Sequence, residues 1–160
     1  MTANTTFVSG AILTAAQMNA LPWGVVDATA GGTSGRGFVN KTTNQTITTT
    51  EADVTGQTVT WTAVTGRLYR LSFSCRYENG GTAQKCYVRI TTGANVVVLG
   101  TATSLIASGE AQVNGMLVIS GLTGTQTYKM RALTQSANAT IIGNSGDVFG
   151  FVVEDIGPST

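Results

Sequence analysis

From residue 57 onward apolar and polar residues alternate with a period of two, the pattern of strands that turn one face to a core and the other to solvent. In "TVTWTAV", Val59, Trp61 and Ala63 share one face and Thr58, Thr60 and Thr62 the other. "RLYRLSFSCRY" sets Tyr69, Leu71, Phe73, Cys75 and Tyr77 against Arg70, Ser72, Ser74 and Arg76. The same division opposes Cys86, Val88 and Ile90 to Lys85, Tyr87 and Arg89, and Tyr128, Met130 and Ala132 to Lys129 and Arg131. Three further runs, "ANVVVLG", "GMLVIS" and "FGFVVEDIG", are apolar on both faces, as expected of strands held between two layers or covered by a neighbouring subunit. Turn signals at Thr65-Gly66, Asn79-Gly80-Gly81, residues 92–95 and residues 121–124 separate these runs. Many short strands at this spacing predict an all-β antiparallel sandwich or jelly roll.

The front of the chain breaks the pattern. In "TTFVSGAILTAAQMNALPWGVV", residues 5–26, Thr14 and Gln17 form a capping box, and Leu13 with Met18 forms a hydrophobic staple. Pro22 ends the helix near Leu21, because proline disfavours helical geometry in the residue before it. A helix of about seven residues is unstable alone in water and needs a surface to dock on. Phe7, Ile12, Leu13, Met18, Leu21 and Trp23 supply the apolar face for such docking. The small, Gly-rich "ATAGGTSGRG" behind it predicts a flexible or irregular connector. The expected organisation is an anchoring arm over residues 1–26, a linker over 27–37 and a β domain over 38–160, its first stretch "NKTTNQTITTTEADVTG" being edge strand and loop.

A chain of 160 residues has room for one such domain and an arm. Only 11% of its residues are charged, against roughly 25% in soluble proteins generally, and the net charge is +1. So weak a field does not steer the chain to nucleic acid or to an anionic membrane. It also removes a common defence against association, so copies of the chain or a partner are expected to cover much of the surface. The absence of a basic leader and of a membrane-length apolar run predicts a non-exported, soluble protein.

The chain has no histidine, which removes the usual general base and the commonest transition-metal ligand. Glu154 and Asp155 are adjacent and point to opposite faces, whereas Glu51 and Asp53 can share a face in a Thr-rich edge region. Neither pair forms the constellation of a glycoside hydrolase, and no metal or cofactor site is expected. "GGTSGRG" lacks the Gly-Lys-Ser/Thr ending of a phosphate loop. Arg67, Arg70, Arg76, Lys85, Arg89, Lys129 and Arg131, read as outward residues interleaved with Tyr87, resemble a platform for single strands or sugars. Solubilising charges and pairs with the few carboxylates explain them more simply. A hairpin centred between Gly80 and Gly81 places Cys75 opposite Cys86, as buried free thiols or, less readily, a strained cross-strand disulfide; a turn on Asn79-Gly80 shifts this register by two residues.

Two pieces of the chain resemble small structural proteins of tailed bacteriophages, of the minor tail or head decoration type. "FVSGAILTAAQMNALPWG" is similar to their N-terminal segment, and "FGFVVEDIGP" to the last strand of their C-terminal domain. The resemblance implies a jelly roll like that of tumour necrosis factor, a homotrimer, and a place in the virion after assembly in the bacterial cytoplasm. It implies further that residues 5–26 grip capsid or tail, and that Phe149, Phe151 and Val153 meet around the threefold axis. The chain is expected to be no enzyme; the alternative is a module binding carbohydrate, a host-surface glycan or another receptor.

Overall fold

The computed structural model describes residues 24–105, 107–143 and 150–159. The helix expected in the front segment and its apolar set, Phe7, Ile12, Leu13, Met18, Leu21 and Trp23, lie outside the described residues, as does Phe149. Twelve strands follow one another: β1 (Gly24–Val25), β2 (Ala28–Gly31), β3 (Phe38–Asn40), β4 (Gln45–Ile47), β5 (Ala52–Ala63), β6 (Arg67–Asn79), β7 (Gln84–Thr92), β8 (Val97–Leu105), β9 (Gly109–Ile119), β10 (Gly124–Thr134), β11 (Ala139–Ile141) and β12 (Gly150–Pro158). They form two antiparallel sheets facing one another. The all-β sandwich expected from the alternation is what forms.

The first sheet is built on β6. Strand β9 pairs along one edge of it, while β12 and then β11 share the other, with β1 and β3 outside β12 and β4 outside β11. The second sheet runs in the order β2-β5-β10-β7-β8. The side chains assigned to the core by alternation are the ones that fill the space between the sheets: Val59, Trp61, Tyr69, Leu71, Tyr77, Cys86, Val88, Ile90 and Met130 are each at most 2% exposed. Trp61 is wedged between Tyr69 and Tyr128, with ring centroids 5.6 and 5.4 Å apart in tilted geometry. Such pairs add about 0.5–1.5 kcal/mol each beyond the area they bury.

Local turn signals misplace one connection. β6 and β7 lie in different sheets, so residues 80–83 arch across the sandwich instead of closing a hairpin. Asn79 and Gln84 brace the arch: Asn79 Nδ2 donates to the Thr82 carbonyl at 2.6 Å, and Gln84 Oε1 accepts from the backbone N–H of Ala137 at 2.8 Å. Cys75 is therefore paired with Val113, and Cys86 lies between Thr103 and Thr134, the two thiols entering the core from opposite sheets. Both are free and buried. Burial, with Cys86 nearby, pushes the Cys75 thiol up to about 12, and burial pushes Cys86 up to about 11.

Two other expectations are corrected. Residues 28–37 are not a loose linker: β2 pairs with β5, and the Ala28 N–H donates to the Gly35 carbonyl at 2.8 Å, which makes the run part of the sandwich. Arg67 does not face outward but is 4% exposed, on the same face as Tyr69. Its guanidinium grips Asp155, with Nε to Oδ2 at 2.8 Å and Nη2 to Oδ1 at 2.5 Å, and the Gly157 N–H donates to Oδ1 at 3.0 Å. The pair joins the start of β6 to the end of β12. Its charges satisfy one another, so removing one of them leaves the other buried without compensation.

Arg67→Met is expected to lower the unfolding free energy by about 3–5 kcal/mol in urea, and adding Asp155→Leu to restore most of it; a single-variant loss below about 1 kcal/mol contradicts this role. The raised thiols make a second prediction. The native state holds protons that the unfolded chain releases above the ordinary thiol value of 9.0, so this stability is complete below pH 9.0 and is lost as pH rises toward about 12. The urea midpoint should fall over that window, and fall less in Cys75→Ala/Cys86→Ala. An identical pH slope in the two proteins would exclude the thiols as its cause.

Candidate functional site

A strand has two faces, and the outward one of the first sheet carries a run of apolar side chains. The pairing sets Phe38, Val152, Ser72 and Met116 in one row across β3, β12, β6 and β9. The next row places Glu154, Arg70 and Val118 side by side. Met116 is 61% exposed and Val118 46%, while Leu68 and Ile156 continue the face as partly exposed aliphatics. Its central charges cancel: Arg70 Nε and Nη2 donate to the two Glu154 oxygens at 2.8 and 2.9 Å, a bidentate fork. The apolar part of the face lies around this pair; toward the other end of β6 and β9 the face turns polar, with Ser74, Asn114 and Gln112 and a second ion pair, Arg76 to Glu110 at 3.3 Å.

Two of the residues expected around a threefold axis lie in the core instead. Phe151 and Val153 have no exposed surface, being enclosed by their own chain between the sheets, and so are not available to a neighbouring subunit. Their neighbour Val152 points outward between Phe38 and Ser72, in the same row as Met116. Alternation gives β12 two apolar faces, and the register against Phe73 and Leu71 decides which is internal. Sequence reasoning alone does not single out Met116, Val118, Phe38, Leu68 or Ile156. The signal that points to Met116, Val118 and Ile156 is the two-sided apolarity of "GMLVIS" and "FGFVVEDIG"; Phe38 and Leu68 lie outside both stretches.

The outward face of the second sheet is different in character. Asp53 accepts from Lys129 Nζ at 2.8 Å and from Arg131 Nε at 2.9 Å, while Glu51 accepts from Arg89 Nη1 at 2.6 Å. Three of the basic residues that resemble a strand- or sugar-stacking platform are thus engaged by carboxylates of the same chain. Burial pushes the Asp53 carboxyl up, but the hydrogen bonds and charges of Lys129 and Arg131 outweigh it and hold the group below the ordinary carboxylate range. Glu51 and Asp53 do share a face, as their spacing allows, but as receivers of cations and not as an acid and base pair. Glu154 and Asp155 point to opposite faces, each held by its own arginine. Among the described residues no group of His, Cys, Asp and Glu side chains could hold a metal ion, and no helix is long and apolar enough to cross a membrane.

No family model matches the sequence, and no curated protein matches it. Among solved structures the chain is similar to a CBM4 protein, at 10% identity and a TM-score of 0.34, over 61% of this chain and 60% of that one. It is similar to a structure of infectious bursal disease virus Gx strain, at 11% identity and 0.39, over 74% of this chain and 36% of that one. A third is the enzymatically active domain of bacteriophage CBA120 tailspike protein 4, at 8% identity and 0.29, over 74% and 19%. The chain thus spans 60% or less of the length of each of the three. At these identities and scores the likenesses carry no argument about ligand, partner or place of assembly.

Because the Asp53 carboxyl is depressed, its contribution to stability is present above the ordinary value of 3.8 and is lost as pH falls through its lower folded value. Asp53→Asn should therefore flatten the loss of urea resistance on acidification from neutral pH to below 3.8. An unchanged acid limb would mean that the cluster carries no such linkage.

Proposed function

We propose that the chain is a non-enzymatic structural component of a bacteriophage virion, a homotrimeric surface protein whose β domain self-associates and whose N-terminal segment attaches it to capsid or tail. The observation that carries this reading is the outward face of the first sheet, with Phe38, Leu68, Met116, Val118, Val152 and Ile156 around the closed Arg70–Glu154 pair. Burying such a side chain fully contributes up to about 1.5–3 kcal/mol. A few per subunit are enough to offset the roughly 4–15 kcal/mol lost in rotational and translational freedom on association. A paired arginine and glutamate add little net affinity to a contact of this kind but specify its register, since a misaligned copy leaves them uncovered or unpaired.

The strand order supports the jelly-roll part of the reading. β5-β10-β7-β8 in one sheet and β12-β6-β9 in the other mean that the chain changes sheet from β5 to β6, β6 to β7, β8 to β9 and β9 to β10. That alternation is how a jelly roll winds. The threefold count, the virion and the attaching role of the front segment rest on the likeness of "FVSGAILTAAQMNALPWG" and "FGFVVEDIGP" to tailed-phage structural proteins. The 11% charge fits a surface largely covered after assembly.

Sedimentation equilibrium of the full chain is expected to give three times the chain mass, and Met116→Lys/Val118→Glu to give the monomer. Thr60→Lys, on the outward face of the other sheet, should leave the trimer intact. A monomeric native protein, or a trimer unaffected by the paired charges, would falsify the proposed face. Removing residues 1–22, which spares β1, should keep the trimer but abolish incorporation into particles; normal occupancy of the truncated protein would remove the arm from the account.

A further inference from the structure

The Gly-rich run at residues 28–37 builds one wall of a cavity that neither the core nor the self-association face uses. The chain passes from β1 in the first sheet to β2 in the second, closing the side of the sandwich, and then folds back on itself. Gly31 and Gly32 take positive φ values of 64° and 74°, and a Cβ would strike the Thr58 carbonyl oxygen at the first and the Arg36 carbonyl oxygen at the second. This tight path pairs Asp27 with Arg36 across a bridge, and Arg36 Nη1 donates to Asp27 Oδ1 at 2.9 Å at the cavity's mouth. Below them lies a space of about 320 Å³, bordered also by Val25, Thr29, Thr62, Trp61 and Tyr69. That volume falls in the range of small-molecule sites.

The polar groups around this space divide into engaged and unmet. Tyr69 Oη accepts the Val64 N–H at 2.8 Å, Thr29 Oγ1 donates to the Thr60 carbonyl at 3.3 Å, and Asp155, deeper in, is held by Arg67. The Trp61 indole N–H is buried with no acceptor. Gln57, Thr91 and Thr134 also bury unpartnered side-chain atoms, but Trp61 is the one of these four that borders the cavity. That indole nitrogen has almost no accessible surface, so the groups the cavity offers a ligand are those at its rim. The Thr62 hydroxyl, the second Asp27 oxygen and the remaining Arg36 N–H groups add donors and acceptors at the rim.

The charges here cancel, Asp27 against Arg36 and Asp155 against Arg67, so the site gives no advantage to phosphate, carboxylate or ammonium ligands. It offers an aliphatic and aromatic lining together with closely spaced donors and acceptors, which matches a ring with one apolar face and a rim of hydroxyls. We propose that this cavity binds a neutral monosaccharide unit, with Asp27 and Arg36 on adjacent hydroxyls and the sugar's apolar face toward the side lined by Val25, Trp61 and Tyr69.

Trp23→Phe in the full chain leaves Trp61 as the sole indole fluorophore. Titrating this protein with D-glucose, D-galactose, D-mannose, N-acetyl-D-glucosamine and L-arabinose should give a saturable change in Trp61 emission with at least one sugar. The methyl glycoside of that sugar separates the end residue of a glycan, which it mimics, from a free reducing sugar; binding of either form supports the site. Asp27→Asn and Arg36→Ala, both at exposed positions, should each weaken binding about tenfold with unchanged melting temperature, while Lys85→Ala leaves it unaltered. No saturable change with any of the sugars, or unchanged binding in both rim variants, overturns the proposal. Neither result bears on self-association, which is read from mass.

Discussion

The pleat of β6 constrains the rest of the molecule. Its inward side chains, from Arg67 through Tyr69, Leu71, Phe73, Cys75 and Tyr77 to Asn79, line the core side by side with those of β12 and β9. Because alternate residues of a strand must point in opposite directions, every inward assignment on β6 fixes an outward one on its neighbours. Phe151 opposite Phe73 and Val153 opposite Leu71 are drawn inside, and Val152 and Glu154 are left outside. The surface proposed to meet a second copy is therefore a consequence of how the core is filled.

The same constraint governs the charges. Arg67 and Asp155 fall on inward positions at the end of the sheet, where they pair with each other and are covered. Arg70 and Glu154, one step away on the outward phase, pair on the open face. On the second sheet Glu51 and Asp53 take up Arg89, Lys129 and Arg131. With few charges, and most of those described engaged with one another, the described residues present a nearly neutral exterior with one partly apolar face. Such a surface is suited to contact with proteins and neutral ligands more than to polyanions.

Period two alone makes the core legible in the sequence: Val59, Trp61, Tyr69 to Tyr77, Val88, Ile90 and Met130 are each assigned to it by alternation. Topology is not legible in the same way. Turn residues report that the chain reverses, not whether it returns to the same sheet, and so the arch after β6 reads as a hairpin. Arg67 shares its phase with Tyr69 and Leu71, and alternation places it inside; its charge suggests the opposite because the partner, Asp155, is 88 residues away. Glycines at 31 and 32 read as flexibility, whereas close backbone approach to Thr58 and Arg36 requires them. The choice between the two apolar phases of β12 likewise depends on pairing that no local pattern encodes. The helix and anchoring set of the front segment lie outside the described residues.

The proposed self-association through the outward face of the first sheet makes one exposed side chain informative. Met116 is 61% exposed in the single chain, whereas Met130 is 1% exposed in the core and serves as an internal standard. Oxidation by dilute peroxide, followed by peptide mass across a range of protein concentrations, measures whether a second copy covers Met116. Slow oxidation at concentrations where the protein associates, rising toward the rate of an exposed methionine on dilution, is the expected result. Rapid oxidation of Met116 at every concentration, with Met130 still protected, would contradict the account.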